Sequence, residues 1–84
     1  AFHFYTPSGY TGLSAYSLDD FCECLKAVPR ESISFHAERG DFSRWAGEVL
    51  EDKKLASDVG VCRTREEILD VVERRRCELW RLLK

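Results

Sequence analysis

His36, Asp41 and Ser43 fall within eight residues of one another, inside the stretch SFHAERGDFSRWAGEVL that runs from Ser34 to Leu50. A histidine, an acid and a serine are the residue types of a nucleophilic relay. Asp41 would orient His36, and His36 would take the proton of Ser43. The spacing argues against that chemistry. Asp41 and Ser43 follow Gly40, where a helix is expected to begin, so their oxygens are expected to cap backbone N–H groups. Relay members converge from distant parts of a fold, and no nucleophile elbow surrounds Ser43. A structural role fits better. His36 shares a helix face with Ile33 and Ala37 and should be partly buried. It then bonds a carboxylate or a carbonyl across the corner, Asp41 being near enough to be that partner. Trp45 is expected to pack on the same turn, with its N–H partnered. A second reading makes the corner of His36, Asp41, Ser43 and Trp45 a pocket for a peptide or a small ligand such as a sugar or a phosphate, with His36 as a polar contact and aromatics of the arm as walls.

Metal chemistry has less to work with. The two histidines, His3 and His36, lack a ligand at helical spacing. Cys22 and Cys24 lie two apart on an expected helix and point to different faces, so they do not form a zinc knuckle. Cys62 and Cys77 complete an even set of four, read here as reduced structural thiols. No metal and no cofactor is expected. Arg74, Arg75 and Arg76 are the densest positive group and a possible anion contact. They sweep around a helix and sit among acids, which argues against nucleic acid as a partner.

The elements that must position these residues are mostly helical. Residues 1–15, AFHFYTPSGYTGLSA, carry Phe2, Phe4, Tyr5 and Tyr10 but are broken by Pro7, Gly9 and Gly12. They read as an extended aromatic arm, with a weak strand signal over Phe2 to Tyr5. The arm covers either its own core or a neighbouring subunit. Ser17 with Asp20 opens a first helix, and Tyr16 with Phe21 could staple it. Pro29 ends that helix and starts a second, which Gly40 stops. A third helix carries Phe42, Trp45, Ala46, Val49 and Leu50. Asp52 caps a short fourth, with Gly60 as its stop. Thr64 and Glu67 form a capping box for the last, whose stripe is Ile68, Leu69, Val72, Leu79 and Leu83. The expected fold is therefore all-α: one domain over residues 1–84, with the arm at 1–15 and an orthogonal bundle of four to five short helices at 17–84.

Composition bounds the function. The chain has 84 residues, 44% hydrophobic and 33% charged, with a formal net charge of -2, which disfavours a general polyanion binder. No apolar run approaches the ~20 residues of a membrane span, and no secretory leader is visible, so a cytoplasmic protein is expected. Met is absent while Glu and Arg are plentiful, which suits a heat-adapted source.

One resemblance covers nearly the whole chain. Phe2-His3-Phe4, then SLDDFCECL, then VPRESISFHAERGDFSRWAGEVLEDKKLA resembles a family of small archaeal and bacterial helical domains of unknown function. The matching residues are Ser17-Leu18, His36, Asp41-Phe42-Ser43, Trp45 and Leu55-Ala56. The resemblance implies an accessory role, alone or beside enzymes of sugar and glycan metabolism, and brings no catalytic residues. The expectation is thus a non-enzymatic module that binds a protein partner or a second copy of itself through Phe2, Phe4, Tyr5, Tyr10 and adjoining helix faces. The alternatives are a ligand or weakly catalytic site at the His36 corner, and nucleic-acid binding by the last helix.

Overall fold

The computed structural model describes residues 1–83. Two strands, β1 (Phe2–Thr6) and β2 (Gly9–Ala15), precede five helices: α1 (Leu18–Ala27), α2 (Arg30–Arg39), α3 (Asp41–Glu48), α4 (Lys53–Gly60) and α5 (Arg65–Leu82). The chain is not all-α. The stretch expected to be an extended arm pairs with itself as a two-stranded antiparallel sheet.

The physical reason lies in the residues read as breakers. Pro7 and Ser8 make the turn, with Thr6 opposite Gly9. The Thr6 hydroxyl accepts the Ser8 N–H at 3.1 Å and steadies it. Three residues of β2, Thr11 to Leu13, then stand where β1 has Phe4 alone, so β2 bulges. Gly12 takes φ +91° there, a backbone that side-chain-bearing residues rarely adopt. The Thr11 hydroxyl donates to the Phe4 carbonyl at 2.7 Å and accepts the Leu13 N–H at 3.2 Å, which replaces the lost ladder bonds. Strand alternation sends Phe2 and Phe4 inward, at 6% and 0% exposure, and His3 and Tyr5 outward.

The helical boundaries follow local chemistry. The Ser17 hydroxyl accepts the Asp20 N–H, and the Thr64–Glu67 capping box is complete. Tyr16 stays largely exposed. Gly40, at φ +71°, ends α2 in the left-handed conformation and turns the chain directly into α3. Gly60 serves differently from the expected stop. It is the last residue of α4 and not a left-handed stop, and a Cβ there would meet the Ser43 side chain at ordinary contact distance.

The core is an aromatic cluster. Phe2 stacks on Phe42 with centroids 5.2 Å apart and meets Trp45 edge-on, while Phe4 stacks on Phe21 at 5.7 Å. Leu25, Ile33, Leu55, Ile68 and Val72 extend it as fully or almost fully buried aliphatics. No helix of the described residues is long and apolar enough to cross a membrane.

Asp52 ties two elements at once. Its Oδ1 accepts the Leu55 N–H at 3.0 Å as the α4 cap, and its Oδ2 accepts Arg75 Nε at 2.8 Å. Burial pushes its carboxyl up, but the Arg75 hydrogen bond and the Leu55 N–H outweigh it, so Asp52 titrates below its ordinary range. Asp52→Ala should cost about 1–2 kcal/mol in chemical denaturation, since a cap is lost and the Arg75 guanidinium keeps only its longer contact with Glu78. Asp52→Asn keeps the cap acceptor and should cost less. Equal losses in the two variants would mean that the cap contributes nothing.

Candidate functional site

The His36 corner is assembled by three elements. α2 carries the imidazole on its inner face, the Gly40 turn brings Asp41 back beside it, and β1 passes over the top. His36 Nε2 accepts the backbone N–H of Tyr5 at 2.8 Å. An acceptor nitrogen carries no proton, so the proton lies on Nδ1, which donates to Asp41 Oδ2 at 2.8 Å. Asp41 in turn accepts Arg39 Nε at 3.1 Å and Arg44 Nη1 at 3.0 Å. His36 is 4% exposed and ringed by Phe2, Phe4, Phe35 and Phe42.

Burial depresses the His36 pKa below 6.5, and the Asp41 contact offsets this only in part. Burial also pushes the Asp41 carboxyl up, but the His36 hydrogen bond and the Arg39 charge hold it below the usual carboxylate range. The corner is a neutral imidazole bridging a strand to an ionised carboxylate.

Of the four corner residues, the structure joins only His36 and Asp41 by a polar contact. Ser43 donates to the Ala56 carbonyl at 2.8 Å, and neither Asp41 nor Ser43 caps α3 with its side chain. Both His36 nitrogens are engaged, so no lone pair is left to act as base toward Ser43. Trp45 is buried against Phe21 and Phe2, but its indole N–H has no partner among the described residues, contrary to expectation. Sequence reading missed Arg39 and Arg44 as the cations around Asp41. Their positions two before and three after that acid were the available signal.

Beside the corner lies an open cleft of about 500 Å³, whose walls include Tyr5, Phe35, Arg39, Trp45, Glu48 and Val49. Among the described residues, no group of three or more His, Cys, Asp or Glu could hold a metal ion. His3 points outward and bonds Ser14 at 2.6 Å, away from His36. All four cysteines are free thiols, and burial raises the pKa of Cys22, Cys24 and Cys62.

The arm residues divide by face. Phe2 and Phe4 belong to the core, while Tyr5 and Tyr10 are 42% and 51% exposed and touch each other with centroids 5.4 Å apart. The three arginines diverge. Arg74 bonds Asp70, Arg75 reaches Asp52 and Glu78, and Arg76 lies 3.4 Å from Asp19.

A second recess was missed by sequence reading. α5 has 18 residues, about 27 Å, while the α1 beside it has 10, about 15 Å. α1 accompanies α5 as far as Arg76. Beyond that, Leu79 and Leu83 continue the inward stripe of Ile68 and Val72 with no α1 beneath them. A groove of about 680 Å³ opens there between Leu18 and Asp19 on one side and Leu79, Trp80 and Leu83 on the other. Leu82 and Leu83 are 78% and 81% exposed. The length mismatch between the two capped helices was the signal that could have found it.

No protein-family model, no curated protein and no solved structure matches the chain.

Proposed function

We propose that the chain is a non-enzymatic interaction module and that its contact surface is the apolar end of the body, formed by α5 beyond Arg76 and the start of α1. The observation that carries this reading is the overshoot of the α5 stripe. Leu79 and Leu83 sit on the helix's core-facing side, yet α1 ends before it can cover them. Contiguous apolar surface of this kind, rimmed by Asp19, Glu73 and Arg76, has the anatomy of a protein interface. The aromatic arm contributes less than its composition suggests, because Phe2 and Phe4 are already spent on the chain's own core.

The alternatives have weaker support. His36 uses both nitrogens structurally, which speaks against a base there. Arg74, Arg75 and Arg76 each meet a carboxylate on a different side, which speaks against a shared phosphate contact.

The test places a photo-crosslinking residue at Leu83 in the protein as expressed in its native cell, with a control at Val61. Val61 is similarly apolar and 79% exposed, but lies just before the opposite end of α5. A discrete adduct at position 83 and none at 61 is expected. No adduct at either, or the same diffuse adducts at both, would end this reading.

A further inference from the structure

We infer that the free edge of β1, with the cleft beside it, takes an extended peptide segment. The segment adds to the hairpin as a third strand and sets an acidic side chain against Arg39. This contact is separate from the one at the α5 end.

The first argument is the edge itself. Thr6 and Gly9 close a turn of two residues, so the Thr6 backbone groups face β2. Backbone groups alternate sides along a strand, so those of Phe4 and Phe2 also face β2, and those of Tyr5 and His3 face away. Two contacts fix this parity. The Phe4 carbonyl accepts the Thr11 hydroxyl of β2, and the Tyr5 N–H leaves the ladder for His36 Nε2. The His3 N–H and C=O and the Tyr5 C=O make no hydrogen bond among the described residues. They border the cleft of about 500 Å³, which β1 lines with His3 and Tyr5 and α3 lines with Arg44, Trp45 and Val49. The outer edge of β2 differs, since α1 lies along it and the Cys24 thiol donates to the Ser14 carbonyl at 3.6 Å. An unpaired edge that borders a cleft is a template for a further strand. A residue placed opposite His3 exchanges two hydrogen bonds with it.

The second argument is charge. His36 bonds both the Tyr5 N–H and Asp41, so Asp41 and its two arginines lie at the Tyr5 end of the edge. Arg39 is held there by Asp41 through Nε and by Phe35, whose ring centroid lies 4.9 Å from the guanidinium carbon. Its two terminal nitrogens make no hydrogen bond among the described residues, which leaves their donors for a carboxylate. Phe2 meets Trp45 edge-on, so the α3 wall runs from Asp41 at the Tyr5 end to Trp45 and Val49 at the Phe2 end. That far end is apolar, with Val49 56% exposed, and Glu48 beside it has no ion pair among the described residues and repels an acid there. The matching segment carries its acid at the Tyr5 end and apolar side chains toward Phe2.

NMR titration of the purified chain tests the inference. The probes are blocked five-residue synthetic peptides with glutamate at the first or the last position and valine, leucine, threonine or serine elsewhere. Saturable binding between micromolar and millimolar peptide is expected, with the His3 amide protected from hydrogen exchange. Methylating the backbone nitrogens of the best binder one at a time should weaken it by about 2- to 10-fold at one position or more, the range for one lost hydrogen bond. His3→Pro should weaken binding by a similar factor and keep the β1–β2 ladder, since the N–H it removes faces away from β2. Glutamine in place of the peptide's glutamate should cost about 2- to 5-fold with the native chain and nothing with Arg39→Ala. No saturable binding up to millimolar peptide, or binding that tolerates every methylation, overturns the inference. Equal affinity for the glutamine peptide overturns the Arg39 contact. Shifts confined to residues 79–83 would put the peptide in the α5 groove and overturn the strand addition. Protection of the His3 amide that grows with protein concentration, without peptide, would make a second copy the occupant and overturn the peptide.

Discussion

His36→Ala is expected to remove about 3–4 kcal/mol of folding stability, the scale for emptying a buried ring site. A chain of this size has only about 4–12 kcal/mol in total. Three losses add. The imidazole leaves a space among Phe2, Phe4, Phe35 and Phe42. The Tyr5 N–H loses its acceptor. Asp41 keeps Arg39 and Arg44 but no longer links α3 to β1. The same ring predicts an acid-labile fold. Its pKa is lower folded than unfolded, so the unfolded chain takes up the proton first. The contribution is therefore fully present above pH 6.5 and is lost as pH falls through the lower folded value. Protonation would also place an N–H at Nε2 against the Tyr5 N–H. Asp41 acts in the same direction further down: its contribution is present above 3.8 and is lost as pH falls through its depressed folded pKa. Urea titrations from pH 7.5 to 5 should show declining stability in the native protein and a nearly level line in His36→Gln. A native profile that stays flat over that range, or an alanine variant within 1 kcal/mol of native, would mean that the ring is not a buried neutral bridge.

Much of this corner was legible because it is local. His36 and Asp41 lie five apart across a glycine, so their meeting needed only one turn to be placed correctly. The Tyr5 N–H was not legible. Its partner is 31 residues away, and a backbone donor leaves no mark in residue type. The caps at Ser17, Asp52 and Thr64 were readable for the same reason as the corner, since each rests on a spacing of three residues. Asp41 and Ser43 show where that logic fails. Both are good capping types at a helix start, but Gly40 already turns the chain. Tertiary partners, the imidazole and the Ala56 carbonyl, then outcompete the α3 backbone for their side chains.

The hairpin was misread because its signals were taken singly. Pro7, Gly9 and Gly12 do break a regular strand. In this chain Pro7 lies in the turn, Gly9 pairs with Thr6 to close it, and Gly12 lets β2 bulge, so the breakers are the pairing device. The overhang of α5 was invisible for another reason. Periodicity marks Leu79 and Leu83 as inward, but only the packed body tells whether anything lies inward of them. The hairpin places Phe2 and Phe4 in the core, and the contact surface we propose lies at the far end of α5.

That placement in the core has its sharpest consequence at Phe4. Phe4→Ala should cost about 3–5 kcal/mol, the usual loss for a buried aromatic ring, and leave the chain near its unfolding threshold. The ring is wholly buried and touches Phe2, Phe21, His36 and Phe42, so its removal opens the cluster that joins the hairpin to α1, α2 and α3. Tyr10→Ala, on the outer face of the same sheet, should cost under about 1 kcal/mol, because its ring is half exposed. Removing residues 1–15 altogether should unfold the helices rather than release a stable bundle, since α1 and α2 would then expose the faces that Phe2, Phe4 and Ala15 cover. Circular dichroism melts of the three variants decide the matter. A truncated chain that keeps a cooperative helical melt would mean that the hairpin is an accessory laid over a finished core. Collapse of that melt, with Tyr10→Ala close to native, would mean that the core is not complete until the first strand is in place. Any association measured on a chain lacking its opening residues would then report on unfolded protein and not on an interface.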